Sequence, residues 1–187
     1  SRSRSATIPG MHGNQQPRRD QEWRRQLAGW LAQPAGMPSV PVEWPPTDFV
    51  DREGVVSLVF ARIAEAQAPG AVALRAGLEP LARTAAVRHL QALEECKRIQ
   101  AALQRAGIAA LWMKGVALAQ WLYPRPSLRD CADLDLLLPD QPTAARAAAV
   151  LAALGYRMPN PHPAGDRVVH ELLALHERTG IELDLHW

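Results

Sequence analysis

Cysteine is scarce in this 187-residue sequence: Cys96 and Cys131 are its only two thiols. Two cysteines build neither a disulfide framework nor a zinc site of cysteine alone, and the expected state of both is the reduced thiol of a cytosolic protein. Long hydrophobic runs are missing as well. No apolar stretch approaches the ~20 residues that a bilayer-spanning helix needs. The opening Ser1-Arg2-Ser3-Arg4-Ser5 leads into no apolar segment of a secretory signal. No membrane partner is expected on these grounds, and the expected location is cytoplasmic. An excess of one charge is also lacking, with 21 Lys and Arg against 19 Asp and Glu and a formal net charge of +2. The first 50 residues carry 6 Arg against 4 acids, whereas the remainder carries 15 charges of each sign. A nucleic-acid binder needs a clustered basic surface for its phosphate contacts, so nucleic acid is not an expected partner of so neutral a body. There is no P-loop, no dinucleotide fingerprint, no serine nucleophile elbow and no internal repeat.

What is abundant is alanine and, early in the chain, proline. Alanine supplies 32 residues, which favours helix while filling little core volume. Seven of the 16 prolines fall in residues 1–50, so this segment reads as a flexible Pro- and Arg-rich arm. Pro34, Pro38, Pro41, Pro45 and Pro46 forbid a continuous helix or a central strand across its second half. Before them, a short helix from about Asp20 to Leu31 sets Trp23, Leu27, Trp30 and Leu31 on one face. Its tryptophans are expected to dock on the body or on a protein partner.

Residues 51–106 read as a helical region. One helix runs from Asp51 to Gln67 and is ended by Pro69-Gly70; a second, around Ala71–Ala76, breaks near Gly77; a long third runs from Leu81 to Ala106. On the third, Leu81, Val87, Leu90, Leu93, Ile99, Ala102 and Leu103 are the expected buried stripe, and Gly107 follows its C-terminus. From residue 107 to 187 the texture becomes α/β. Ile108–Met113 suits a buried strand, Val116–Tyr123 a short helix, Asp133–Leu138 a second strand and Pro142–Leu154 an Ala-rich helix before Gly155. Val168–His176 and Ile181–Trp187 alternate on either side of a turn and predict a β-hairpin. The expected class is α+β, a helical N-terminal part packed on a small mixed β-sheet with helices on one side.

The chemistry concentrates in Asp133-Leu134-Asp135. On a strand, a spacing of two puts both carboxylates on one face and Leu134 and Leu136 on the other. Adjacent buried carboxylates repel and are costly to desolvate, and a divalent cation with oxygen ligands is the usual remedy. The alternative is a strand end at the surface, with both acids in water or paired with Arg129. Upstream, Lys114-Gly115 stands at a strand-to-helix junction, where free backbone N–H groups and the helix dipole favour an anion such as phosphate. Downstream, Glu182, Asp184 and His186 share one strand face, and Asp184 completes a three-carboxylate cluster if the two strands pair. Such a cluster holds two metals for in-line nucleotidyl or phosphoryl displacement. His162, His170, His176 and His186 match no zinc-finger or metalloprotease spacing. His186 is expected to orient an acid or pack beside Trp187. Cys131, near acids, is expected to have a raised thiol pKa and no nucleophilic role, and Cys96 is expected in the core.

Together, Lys114-Gly115, Leu122-Tyr123-Pro124, Arg129, Asp133-Leu134-Asp135-Leu136-Leu137, Gly155-Tyr156 and Asp184-Leu185-His186-Trp187 resemble the uncharacterised nucleotidyltransferase family of the DNA polymerase β-like superfamily, over about Gln100 to Trp187. The resemblance implies a nucleotidyltransferase-like core over 107–187 and a two-metal Mg²⁺ site. Asp133 and Asp135 would be its metal-binding pair, and Asp184 the third acid, which activates an acceptor hydroxyl. Lys114, Gly115 and Arg129 would attend the phosphates of an NTP. The implied reaction moves an NMP from an NTP to an unidentified hydroxyl acceptor and releases pyrophosphate. Two features depart from the superfamily pattern. Lys114-Gly115 stands where Gly-Ser is usual, and the sequence stops at Trp187, where relatives continue into a further helical region, so a truncated core is expected. The rival expectation is a non-catalytic module of the same fold that binds a protein partner through the N-terminal arm. A hydrolase or phosphotransferase built on the same carboxylates is a third.

Overall fold

Helix carries the first half of the chain. The computed structural model, which describes residues 16–33, 43–64, 70–158 and 171–187, places α1 (Gln16–Leu31), α2 (Thr47–Arg52), α3 (Val56–Ile63) and α4 (Ala71–Arg105) ahead of any strand. The expected N-terminal helix forms and begins four residues earlier than its apolar face alone suggested. Its tryptophans are buried: Trp23, Leu27 and Trp30 join Phe49, Val50, Val56, Val59, Ile63, Leu74 and Leu78 in one apolar cluster. Trp23 meets Phe49 edge-on at 5.2 Å between ring centroids, and Arg24 makes a two-pronged ion pair with Glu53. Residues 16–33 of the proline-rich segment are therefore packed on the body, and their tryptophans are not presented to a partner. Pro34, Pro38, Pro41, His162 and His170 lie outside the described residues.

Two helical expectations are corrected. The single helix from Asp51 is instead α2 and α3, separated at Gly54, whose φ of 64° turns the chain between them. The break near Gly77 does not occur, because α4 runs unbroken for 35 residues through both Gly77 and Pro80. Gly77 is there for contact: a Cβ would lie 2.6 Å from the Thr47 methyl, so the bare backbone lets α4 approach α2. The face also shifts. Val87 and Leu90 are 55% and 63% exposed, and the buried side chains in this stretch are His89, Ala92, Glu95, Cys96, Ile99, Ala102 and Leu103. Glu95 is tolerated there because it accepts from Arg98 and from the Tyr156 hydroxyl.

The second half alternates as expected: β1 (Leu111–Met113), α5 (Lys114–Leu122), a single 3-10 turn at Pro126–Leu128, β2 (Asp133–Leu137), α6 (Gln141–Ala153), β3 (Tyr156–Arg157), β4 (Glu171–His176) and β5 (Glu182–His186). Asp140 caps α6 by accepting from the Thr143 N–H at 2.8 Å, with Pro142 in the first turn. The strands form one mixed sheet in the order β1-β2-β5-β4-β3, with β2 and β5 parallel and the other pairs antiparallel. Leu134, Leu136, Ala174, Leu183 and Leu185 face the second apolar cluster, shared with Ile99 and Leu103 of α4 and Ala144, Ala147 and Leu151 of α6. The class is α+β, mostly helical with a small mixed sheet. One sheet face is covered by helices, and the acids of β2 and β5 alternate onto the other.

Candidate functional site

The site is built where β2 and β5 run side by side. Leu134, Leu136, Leu183 and Leu185 must point into the core, so period-2 alternation sends Asp133, Asp135, Asp184 and His186 to the opposite face. The parallel register sets Asp135 beside Asp184 and Asp133 beside Glu182. Asp135, Asp184 and His186 offer donor atoms that all lie within 4.8 Å of one another. Asp133 lies outside that group: two residues along a strand is a step of ~6.6 Å, and only Asp135 stands level with Asp184. Its charge nevertheless reaches both Asp184 and Lys114.

Asp135 is the centre of the arrangement. Its side chain is 1% exposed, and a charge so enclosed needs partners. It has two on one oxygen: Lys114 Nζ at 2.6 Å and His186 Nε2 at 3.0 Å, both to Oδ1. In the fold the Lys114 amine, the expected phosphate contact, pairs with Asp135. The backbone is arranged for this. Met113 pairs with Asp135 across β1 and β2, and Lys114 then turns sharply with a φ of 43°, unusual outside glycine. Gly115 follows as a buried residue whose Cβ would sit 3.3 Å from Cys131 Sγ, so α5 starts tight against the entry to β2. The hydrogen bond to Asp135, reinforced by the charges of Asp133 and Asp184, holds the Lys114 ammonium above the usual lysine range. Asp184 moves the opposite way for a carboxylate. Burial first, then repulsion from Glu171, Asp133 and Asp135, pushes its carboxyl above the ordinary range, with His186 opposing.

Arg129 sits just past the 3-10 turn that leads into β2, and its Nε is buried with no hydrogen-bond partner among the described residues. Among those residues no ion pair joins it to the acids of the site. Cys131 behaves as expected, its thiol pushed up chiefly by burial; Cys96 is buried and pushed up to about 12. The neighbouring Asp130 is drawn away from the site by Ser57 of α3, whose hydroxyl and backbone N–H both donate to it.

The three convergent donors fit a small divalent cation. With metal–oxygen bonds of ~2.1 Å, neighbouring donors of an octahedron stand ~3.0 Å apart and opposite ones ~4.2 Å. Asp135 Oδ1 and His186 Nε2 already stand 3.0 Å apart. Two carboxylates and an imidazole thus converge on one face of the sheet, with the Lys114 amine on Asp135 and the charge of Asp133 close by. A family model described as an uncharacterised nucleotidyltransferase matches residues 46–187, and the chain belongs to that family. The match begins with α2 and takes in the helical part as well as the sheet. Neither a curated protein nor a solved structure matches the chain.

Proposed function

We propose that the protein transfers an NMP group from an NTP to a hydroxyl acceptor, with release of pyrophosphate, in a reaction that depends on a divalent cation such as Mg²⁺. The observation that carries this reading is the convergence of Asp135, Asp184 and His186 on one face of a sheet whose chain belongs to a nucleotidyltransferase family. Asp135 and Asp184 hold the cation, and Asp133, one step along β2, is placed to take a second. When bound, the cation neutralises phosphate oxygens and supports in-line displacement. The chain's own residues do the rest. Lys114 is 58% exposed and its stem is free to swing from Asp135 to a phosphate. Gly115 lets α5 start close against Cys131 at the entry to β2, and Arg129, just ahead of β2, supplies a further positive charge for phosphate. Asp184, level with Asp135 on the neighbouring strand, is the acid we assign to accept the acceptor's proton.

The test is a thermal-shift titration with each NTP, with and without Mg²⁺, on the wild type and on Asp133→Asn and Asp135→Asn. A ligand that binds the native state raises the midpoint by mass action even when the acceptor is unknown. The expected result is a Mg²⁺-dependent shift with at least one NTP that is lost in Asp135→Asn. A shift that survives in both variants would remove the acids from the site. Product analysis separates the chemistries, since pyrophosphate marks nucleotidyl transfer and inorganic phosphate marks a hydrolase. A second reading, a protein-binding module of the same fold, draws on α5, where Trp121 is 87% exposed beside exposed Leu118 and Leu122. It expects no NTP shift at all.

A further inference from the structure

Because His186 contributes nitrogen to a group of donors that are otherwise carboxylate oxygens, we infer that it is a direct metal ligand and that the site takes Mn²⁺ in preference to Mg²⁺. The inference rests on the proposed cation site and goes on to name its third ligand and the class of ion it selects. The geometry gives His186 a definite position. It follows Asp184 by two residues on β5, so both project from the same face, and the register of β5 on β2 brings its ring back over Asp135. The ring is held in place, with a side chain only 18% exposed. The nitrogen facing the shared oxygen is Nε2, at 3.0 Å, the spacing of neighbouring donors around a six-coordinate ion.

Two arrangements are compatible with that contact. In one, Nε2–H donates to Asp135 and His186 stays outside the coordination sphere as an orienting partner. In the other, Nε2 and Asp135 Oδ1 are adjacent ligands of one ion, with Asp184 as a third. All three donors lie within 4.8 Å of one another, so the second needs only that an ion take the place of the Lys114 amine on Asp135 Oδ1. An oxygen-only site suits Mg²⁺, which is hard and gives up its water reluctantly; a nitrogen donor shifts the preference towards first-row transition ions, among which Mn²⁺ is the one that shares the carboxylate-rich, six-coordinate habit of Mg²⁺. Lys114 sharpens the choice. Its amine already sits at 2.6 Å from Asp135 Oδ1, so an incoming ion must displace it, and Mn²⁺ gains more from the nitrogen than Mg²⁺ does.

The experiment uses the full chain with Mn²⁺ as probe, alone and with a non-hydrolysable ATP analogue. Affinities for Mn²⁺ and Mg²⁺ are measured by titration, and the ligand atoms by pulsed EPR of bound Mn²⁺. Wild type is expected to bind Mn²⁺ at least tenfold more tightly than Mg²⁺ and to show a ¹⁴N coupling of directly bound imidazole. In His186→Gln the coupling disappears, and Mn²⁺ affinity falls about tenfold or more while Mg²⁺ affinity changes less. His186→Asn, checked with His186→Gln for native circular dichroism, guards against a folding artefact. Mn²⁺ bound at Asp135 and Asp184 without nitrogen coupling, and unaffected by His186→Gln, overturns the inference and leaves the proposed function standing. No binding of either ion, with or without nucleotide, overturns both.

Discussion

At the scale of single residues, the site trades stability for charge. Asp184 is forced into an acid cluster, and its raised pKa means that the fold prefers it protonated. Below the unfolded-state value of about 3.9 both states hold the proton and the group contributes nothing. As pH climbs past that value and through the folded one, the folded state gives up its proton at a cost that the unfolded chain does not bear. Asp184→Asn is therefore expected to raise the metal-free melting midpoint at pH 7, with the gain shrinking towards zero near pH 4. Melting curves at the two pH values check this; an equal gain at both would mean that the shift has another cause. A saturating divalent ion should raise the wild-type midpoint and leave the variant nearly unmoved. Asp135 shows the opposite solution, since its enclosed charge is met by Lys114 and His186 on a single oxygen.

At the scale of elements, α4 is the part whose sequence misleads. Gly77 and Pro80 are residues that weaken or kink helices, yet the helix passes through both. The gain from packing on α2 and α3 outweighs the local cost, and Gly77 is the point of closest approach to Thr47. Substitution shows which effect governs. Gly77→Ala should gain ~1 kcal/mol of helix propensity but lose about 1–3 kcal/mol to overpacking against Thr47. The expected outcome is net destabilisation in the wild type and a neutral or stabilising change in a Thr47→Ser background, where the clashing methyl is gone. Chemical denaturation of the four proteins in the cycle measures the coupling. Additive effects would show that Gly77 serves no contact.

At the scale of the whole molecule, two apolar clusters are strung on one helix. The first turns of α4 belong to the cluster with α1, α2 and α3, and its later turns to the cluster under the sheet. The Ser57–Asp130 contact ties α3 to the segment entering β2. Trp23 lies in the first cluster, 5% exposed and away from the acids. Trp23→Ala is expected to cost about 3–5 kcal/mol, which at this chain length lowers the midpoint by roughly 10 °C. Mn²⁺ affinity under native conditions should stay within a factor of two of wild type. A large loss of metal binding in a folded Trp23→Ala protein would mean that the helical part shapes the site directly.

What the amino-acid sequence determined by itself was whatever rests on period and punctuation. The alternation through Asp133–Leu137 and Glu182–His186 dictated which side chains share a face, because a strand has only two faces and the leucines claim one. Gly107, Pro139, Pro142 and Gly155 bounded the elements of the second half through backbone geometry that is local. The tryptophan face of α1 was legible for the same reason. Pairing and proximity were decided only by the tertiary structure. The register between β2 and β5 put Asp184 level with Asp135 rather than Asp133, brought His186 into the donor group, and gave the Lys114 amine to a carboxylate. Packing of α4 in the two clusters decided which of its stripes is buried, exposing Val87 and Leu90 and enclosing His89 and Glu95. A one-residue shift of register reverses every face of a strand, and helix packing selects one stripe among several of similar apolarity. Neither choice is encoded in the spacing of residues along one segment; both follow from contacts between segments distant in the chain.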